Sequence, residues 1–186
     1  MSYIDELIDD YRRFVSLPWP NNLAGRQRVW MAIYPPDQER RLRLHLKDFE
    51  AATIAAKHGW YLHDITTSFE HWMAAHELRD AYFRAPSLLE SALSAFMDSL
   101  ENEVRRQLQD HASPSDVVAI LGAGTLFGLS DVVKVSALVA RVADDINGRL
   151  MVFFPGDHEG NTYRLLDGRD GWDYLAVPLK SSGGRT

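Results

Sequence analysis

This sequence predicts an α/β chain built on a mostly parallel sheet, and three observations carry that expectation. Four short apolar runs rich in β-branched and aromatic residues are spaced along the chain. Stretches with helical periodicity separate them, and strands that alternate with helices in this way need long right-handed crossovers between parallel neighbours. The architecture they imply is a Rossmann-like three-layer sandwich with a C-terminal β-hairpin and a degenerate glycine loop after the third strand.

The first element is an amphipathic helix. Ser2 and Asp5 have capping-box spacing, and Ile4, Leu7, Ile8, Tyr11 and Val15 recur at helical intervals until Leu17-Pro18-Trp19-Pro20 stops them. Residues 28–34 (RVWMAIY) form a buried strand ended by Pro35-Pro36. A helix over about 37–58 follows, with Leu42, Leu46, Phe49, Thr53 and Ala56 on its apolar line and Gly59 as its left-handed cap. Residues 60–65 are the second strand. Thr67 to Glu70 and Ser87 to Glu90 repeat the capping-box spacing, so two helices come next, separated at Ala85-Pro86, the second reaching about Gln109. The turn cluster Ser113-Pro114-Ser115-Asp116 leads into the third strand, 117–121. Ser130 caps the following helix, whose buried face is Val132, Val135, Val139, Val142 and Ile146. Residues 149–154 are the fourth strand. Segments 163–166 and 174–179 flank Asp167-Gly168-Arg169-Asp170-Gly171 and form the hairpin. The tail, 181–186, holds no apolar residue and is expected to be disordered, leaving one domain over 1–180.

Composition narrows the function classes. The 186 residues are 46% hydrophobic, enough for a sizeable core, and 20 Lys plus Arg against 26 Asp plus Glu give a net charge of −6. That balance excludes a generally basic nucleic-acid coat, so direct DNA binding is expected to be weak or absent. With no cysteine there is no disulfide, zinc knuckle or thiol nucleophile. The start, 1–10, mixes acids with apolar residues and lacks the pattern of a signal peptide, and 117–129 is too short and glycine-rich to span a bilayer, so a cytoplasmic address is expected.

Four motifs bear on chemistry. Gly122, Gly124 and Gly128 lie between a strand and a helix, where backbone N–H groups can hold a phosphate. A dinucleotide fingerprint would have glycine where Phe127 stands, and a P-loop needs a lysine that the loop lacks, Lys134 being the nearest. The other reading is a tight turn with close packing. His71 and His76, five residues apart on one helix, point in different directions and cannot chelate together; His76 reads as a core histidine beside Phe69, Trp72 and Met73. Arg40, Arg41, Arg43 and Lys47 are candidate phosphate or nucleic-acid contacts, against which Asp37–Arg41 and Glu39–Arg43 pairs describe a solvated helix face. The segment 155–172 gathers Asp157, His158, Glu159, Arg164, Asp167, Arg169, Asp170 and Trp172 beyond the fourth strand. Its carboxylates can take Mg²⁺ or Mn²⁺, but without a specific ligand spacing, and Arg164, Arg169, Asp170 and Trp172 are the mix that dominates protein interfaces. No metal and no cofactor is assigned. The rival reading is a nucleotide- or metal-dependent enzyme using the 122–128 loop and the 157–170 segment.

Three blocks carry a family resemblance: YRRFVSLPWPNNLAGRQRVW, GWYLHDITTSFEHWMAAHELRDAYF and, above all, GRLMVFFPGDHEGNTYRLLDGRDGWDYLAVPL. Together they resemble the BrxB family, the small component of bacteriophage exclusion (BREX) defence systems, over nearly the whole chain to about Leu179. The resemblance implies an anti-phage role beside an alkaline-phosphatase-like PglZ protein first, then an adenine-specific DNA methyltransferase and a large AAA-type ATPase. It brings no catalytic residues with it. The function expected is therefore a non-enzymatic interaction subunit.

Overall fold

A computed structural model describes residues 2–160, 162–166, 168–169 and 176–181. It opens with α1 (Tyr3–Val15), capped as expected: Ser2 N donates to Asp5 Oδ2 at 2.9 Å and Asp5 N to Ser2 Oγ at 3.3 Å. β1 (Val29–Tyr34) is buried along its whole length. Instead of the single helix expected over 37–58, there are two, α2 (Glu39–Leu44) and α3 (Leu46–Ala55). His45 breaks them with φ −108° and ψ 11°, and its ring nitrogen meets the Asp48 carboxylate at 2.7 Å. The left-handed residue that ends α3 is Lys57 (φ 66°), with Lys57 N bonded to Ile54 O and His58 N to Thr53 O in a Schellman arrangement. Gly59 has a different task, because a Cβ there would overlap the Asp116 carboxylate.

β2 (Gly59–Asp64) is followed by α4 (Ser68–Ala75), α5 (Arg79–Arg84), two short 3₁₀ turns and α6 (Leu93–Asp110). Neither expected capping box forms there: Thr67 makes no side-chain cap bond, and Ser87 lies inside a 3₁₀ turn at Pro86–Leu88. β3 (Asp116–Leu121) leads through a glycine loop to α7 (Val135–Val142). Ser130 accepts from Val132 N and Val133 N ahead of that helix, and Val132 is exposed whereas Val135, Val139, Val142 and Ile146 are buried as expected. The last strands are β4 (Arg149–Glu159), β5 (Thr162–Leu165), β6 (Gly168–Arg169) and β7 (Val177–Leu179).

The main sheet runs β2-β3-β4-β1-β7, every neighbouring pair parallel, so the four expected strands share one sheet. From β1 the chain crosses to the far edge at β2, then returns through β3 to β4. Right-handed crossovers running in opposite directions must lie on opposite faces. Accordingly α1, α2 and α3 pack with Trp30, Ala32 and Tyr34 on one side, while α6 and α7 pack with Val29, Met31 and Ile33 on the other. This is a three-layer, Rossmann-like α/β fold. The C-terminal hairpin is paired differently from expectation. β5 joins the end of β4 and then β6, both antiparallel, and β7 lies parallel to β1 at the sheet edge. Three residues around Pro178 are enough for an edge strand, and β4 extends five residues past Phe154 to receive β5. Ser181, placed by sequence in the tail, is buried with its hydroxyl on Glu6; 182–186 lie outside the described residues.

At the amino-terminal end of the sheet Arg149 is buried. Its guanidinium donates to Gly148 O (2.9 Å) and Pro20 O (3.0 Å) and lies 4.9 Å from the centre of the Trp19 ring and 5.8 Å from that of Trp30. His58 stacks on the same Trp19 at 3.6 Å.

Candidate functional site

A cleft of about 680 Å³ opens between the 3₁₀ turns before α6, the 126–134 loop and the β5–β6 hairpin. That is the size range of sites that take a drug-sized ligand or an anchoring side chain. Leu93, Leu126, Val133 and Leu165 line it from the buried core. On the rim Phe127 and Val132 are each 45% exposed, and Leu88, beside the lining residues Ser87 and Leu89, is 52% exposed. Large apolar side chains are thus left in water around one concavity. The polar edge is acidic on balance, with Glu90 and an Asp131 whose partner is Lys134 at 3.0 Å.

Local backbone chemistry shapes the rim. Gly122 (φ 93°) turns the chain out of β3 and packs so closely that a Cβ would come within 2.6 Å of Thr66 Oγ1. A 3₁₀ turn at Ala123–Leu126 follows, and the next α-helix begins only at Val135, so no helix N-terminus faces Gly122 or Gly124. Gly124 packs on Pro155 Cγ, and Gly128 (φ 76°) turns the chain beyond Phe127. The loop is therefore a packing turn that presents Phe127. On the opposite wall Gly168 makes room for this ring, since a Cβ would lie 2.6 Å from Phe127 Cε2. Sequence reasoning missed both residues, although an aromatic ring in the position that disqualifies a dinucleotide loop was the available signal.

The four basic candidates do not share one face. Arg40 and Arg41 are exposed on α2, Lys47 is exposed on α3 beyond the break, and Arg41 pairs with Asp5 at 3.3 Å rather than with Asp37. Arg43 pairs with Glu39 as expected (2.7 Å), and also with Asp64 (3.2 Å) and Thr66 Oγ1 (2.8 Å), so each guanidinium nitrogen is engaged. Tyr34 donates to the same Glu39, and Thr66 to Asp64. This network ties the carboxyl ends of β1 and β2 together. Burial pushes the Asp64 carboxyl up, but hydrogen bonds from Thr66 and the Arg43 charge outweigh it and hold the group below its usual range. A folded-state value below the unfolded one contributes stability that is present above the ordinary carboxylate range and lost as pH falls through the folded value. Arg43→Ala is expected to lower stability by about 1–3 kcal/mol at neutral pH, measured as a shift in urea midpoint. The deficit should shrink below about pH 4, by a modest share because Asp64 is 44% exposed and screened by water.

On the other face Glu103 accepts from Ser68 Oγ (3.1 Å) and lies 3.0 Å from His63 Nε2, off hydrogen-bond geometry. Ser68 thus donates to the carboxylate and not to the imidazole, an arrangement that ties α4 to α6 rather than one that activates a nucleophile. His76 is half-buried against Trp72 and Tyr82, accepts from Leu78 N at 3.2 Å, and is the core histidine expected; His71 is exposed.

In the C-terminal segment Asp157 accepts from His158 N (2.6 Å) and Lys180 (3.4 Å), and these bonds hold its carboxyl below the usual range. Among the described residues no three His, Asp or Glu side chains gather to hold a metal. Arg164 is exposed on β5, opposite Asp157 on one side and Arg169 on the other. Asp170 and Trp172 lie outside the described residues, so of the four interface candidates only Arg164 and the backbone of Arg169 are placed, both on the hairpin that walls the cleft. Among the described residues no helix is long and apolar enough to cross a membrane. Comparison of the chain with family models, with curated proteins and with solved structures gives no match in any of the three.

Proposed function

We propose that this protein is a non-enzymatic docking subunit of a cytoplasmic anti-phage assembly of the BREX type. The observation that carries the reading is the cleft of about 680 Å³ with Phe127 and Val132 left exposed on its rim. Its occupant is a partner segment with apolar anchors and a basic flank, to suit Glu90 and Asp131. The resemblance to the BrxB family selects the assembly, with the PglZ-like protein as the first partner and the methyltransferase and AAA-type ATPase behind it. Arg164, Arg169, Asp170 and Trp172 extend the same surface on this reading. Duplex DNA is not the partner, because Arg41 and Arg43 are already committed to carboxylates and the chain carries a net charge of −6.

The test is a pull-down from cells carrying the whole gene cluster, followed by titration of the captured partner. Phe127→Ala should weaken the complex by about 1–4 kcal/mol, with Arg169→Ala and Trp172→Ala acting in the same direction and Phe127→Ala still melting as a folded protein. Undiminished capture by all three variants would defeat the proposal. A rise in melting temperature with MgATP or Mn²⁺ would move the protein to the nucleotide- or metal-dependent enzyme class instead.

A further inference from the structure

We propose that two copies of this chain join along the free edge of β2, antiparallel across a two-fold axis. Gly59 N bonds to Ser115 O and Ile65 N to Leu121 O, which fixes the odd-numbered residues of β2 as those whose backbone faces β3. The N–H and C=O groups of Trp60, Leu62 and Asp64 therefore point away from the sheet, and no described residue bonds to them. A bare strand edge is a template for another strand, and proteins that keep such an edge solitary blunt it with proline, lysine, a bulge or short length. The opposite edge is blunted: β7 is three residues long and contains Pro178. β2 has six residues, GWYLHD, in unbroken register with β3 and with none of these devices.

The strand's own pattern selects a second copy as the occupant. In an antiparallel pair the outward-pointing residues must face one another, each facing pair exchanging two backbone hydrogen bonds. With the axis at Leu62, that residue meets its copy, Trp60 meets Asp64, and Tyr61 meets His63. Leu62, 40% exposed, thereby loses its water, and no like charges are opposed. Asp64 arrives with its charge already compensated by Arg43 at 3.2 Å. Leu44 and Ile54, on the helices that lead into β2, are also exposed. A two-fold contact is self-closing, so the product is a dimer with one continuous sheet and not a filament. The docking cleft takes no part, and both of its copies stay open.

Sedimentation of the full chain at roughly 100 μM tests this against two variants at the axis. The wild-type protein should sediment as a dimer, at twice the 21.1 kDa of the chain. Leu62→Lys places two like charges against each other and should raise the dissociation constant roughly tenfold or more. Leu62→Pro removes a donor that β3 does not use, so it should abolish pairing and keep the β2–β3 ladder. Either variant suffices if the other proves unfolded by its melting profile. A wild-type monomer at this concentration, which would leave the edge to a strand from another protein, or an undiminished dimer in a folded variant, would overturn the proposal.

Discussion

Arg149→Ala should cost about 3–4 kcal/mol, which in a chain of this size lowers the melting temperature by roughly 10 °C. Arg149 is only 4% exposed, yet it is compensated by no carboxylate among the described residues; what holds it is the two indole faces of Trp19 and Trp30 and the carbonyls of Gly148 and Pro20. Burial and the nearby Arg28 both press its pKa below the usual arginine range, so the site bears a charge at some cost. Truncation removes two cation–π contacts and two hydrogen bonds, and it leaves a void beside Trp19 that the 16–24 loop must fill. Arg149→Lys keeps the charge but not the planar fork that reaches both carbonyls, so it should recover only part of the loss. A second readout separates electrostatics from packing. The His58 imidazole is held below its ordinary pKa first by burial and then by the Arg149 charge, so its titration followed by NMR should move up in the alanine variant and stay low in the lysine variant. An alanine variant that melts with the wild-type protein would show the aromatic box to be dispensable.

Gly156→Ala should be nearly as damaging, by about 2–4 kcal/mol, and its damage should reach the cleft. Gly156 sits where β4 leaves the main sheet and takes β5 as partner, opposite Leu165. A Cβ there would overlap Arg164 O and approach Phe154 Cε1 at 3.0 Å, so β5 must move off β4. Leu165, one of the buried residues lining the cleft, moves with it. The variant is expected to lose partner capture as well as stability, whereas Arg149→Ala, remote from the cleft, should lose stability alone. Equal capture by Gly156→Ala and wild-type protein would detach the hairpin from docking.

β1, β3 and the first half of β4 were legible in the sequence because, apart from Asp116 and Arg149 at their first positions, each is a continuous apolar run, as a strand buried on both faces requires; β2, GWYLHD at the sheet edge, carried a weaker signal of the same kind. The break at His45 was not legible, since nothing in helix propensity marks a residue whose ring turns to Asp48. Capping-box spacing proved informative at Ser2, next to a strongly amphipathic run, and misleading at Thr67 and Ser87, where spacing was the whole signal. The pairing of β7 with β1 joins segments more than 140 residues apart, and hairpin logic, which favours near neighbours, assigned it to β5 instead. The cleft shows the same limit. Its glycine loop was visible, but the role of Phe127 depends on Gly168, which reaches it only through the fold. Arg43 was noticed as one charge in a run; its partners Asp64 and Thr66 belong to another strand's end.

β4 also decides how the protein bears load. Its eleven residues extend over about 35 Å from the Arg149 box at one end of the sheet to the hairpin beside the cleft. Over Leu150–Val152 it is clamped between β1 and β3, both parallel to it, and β1 continues beside it to Pro155. A partner that tugs on the hairpin therefore pulls along the axis of the central strand, and the two flanking ladders resist together in shear, with no bond able to open ahead of the rest as it would in a zipper. On the docking function proposed above, a partner can haul on this end of the protein without peeling it open, whereas the same force on the edge strand β7, held by three residues, would strip it away.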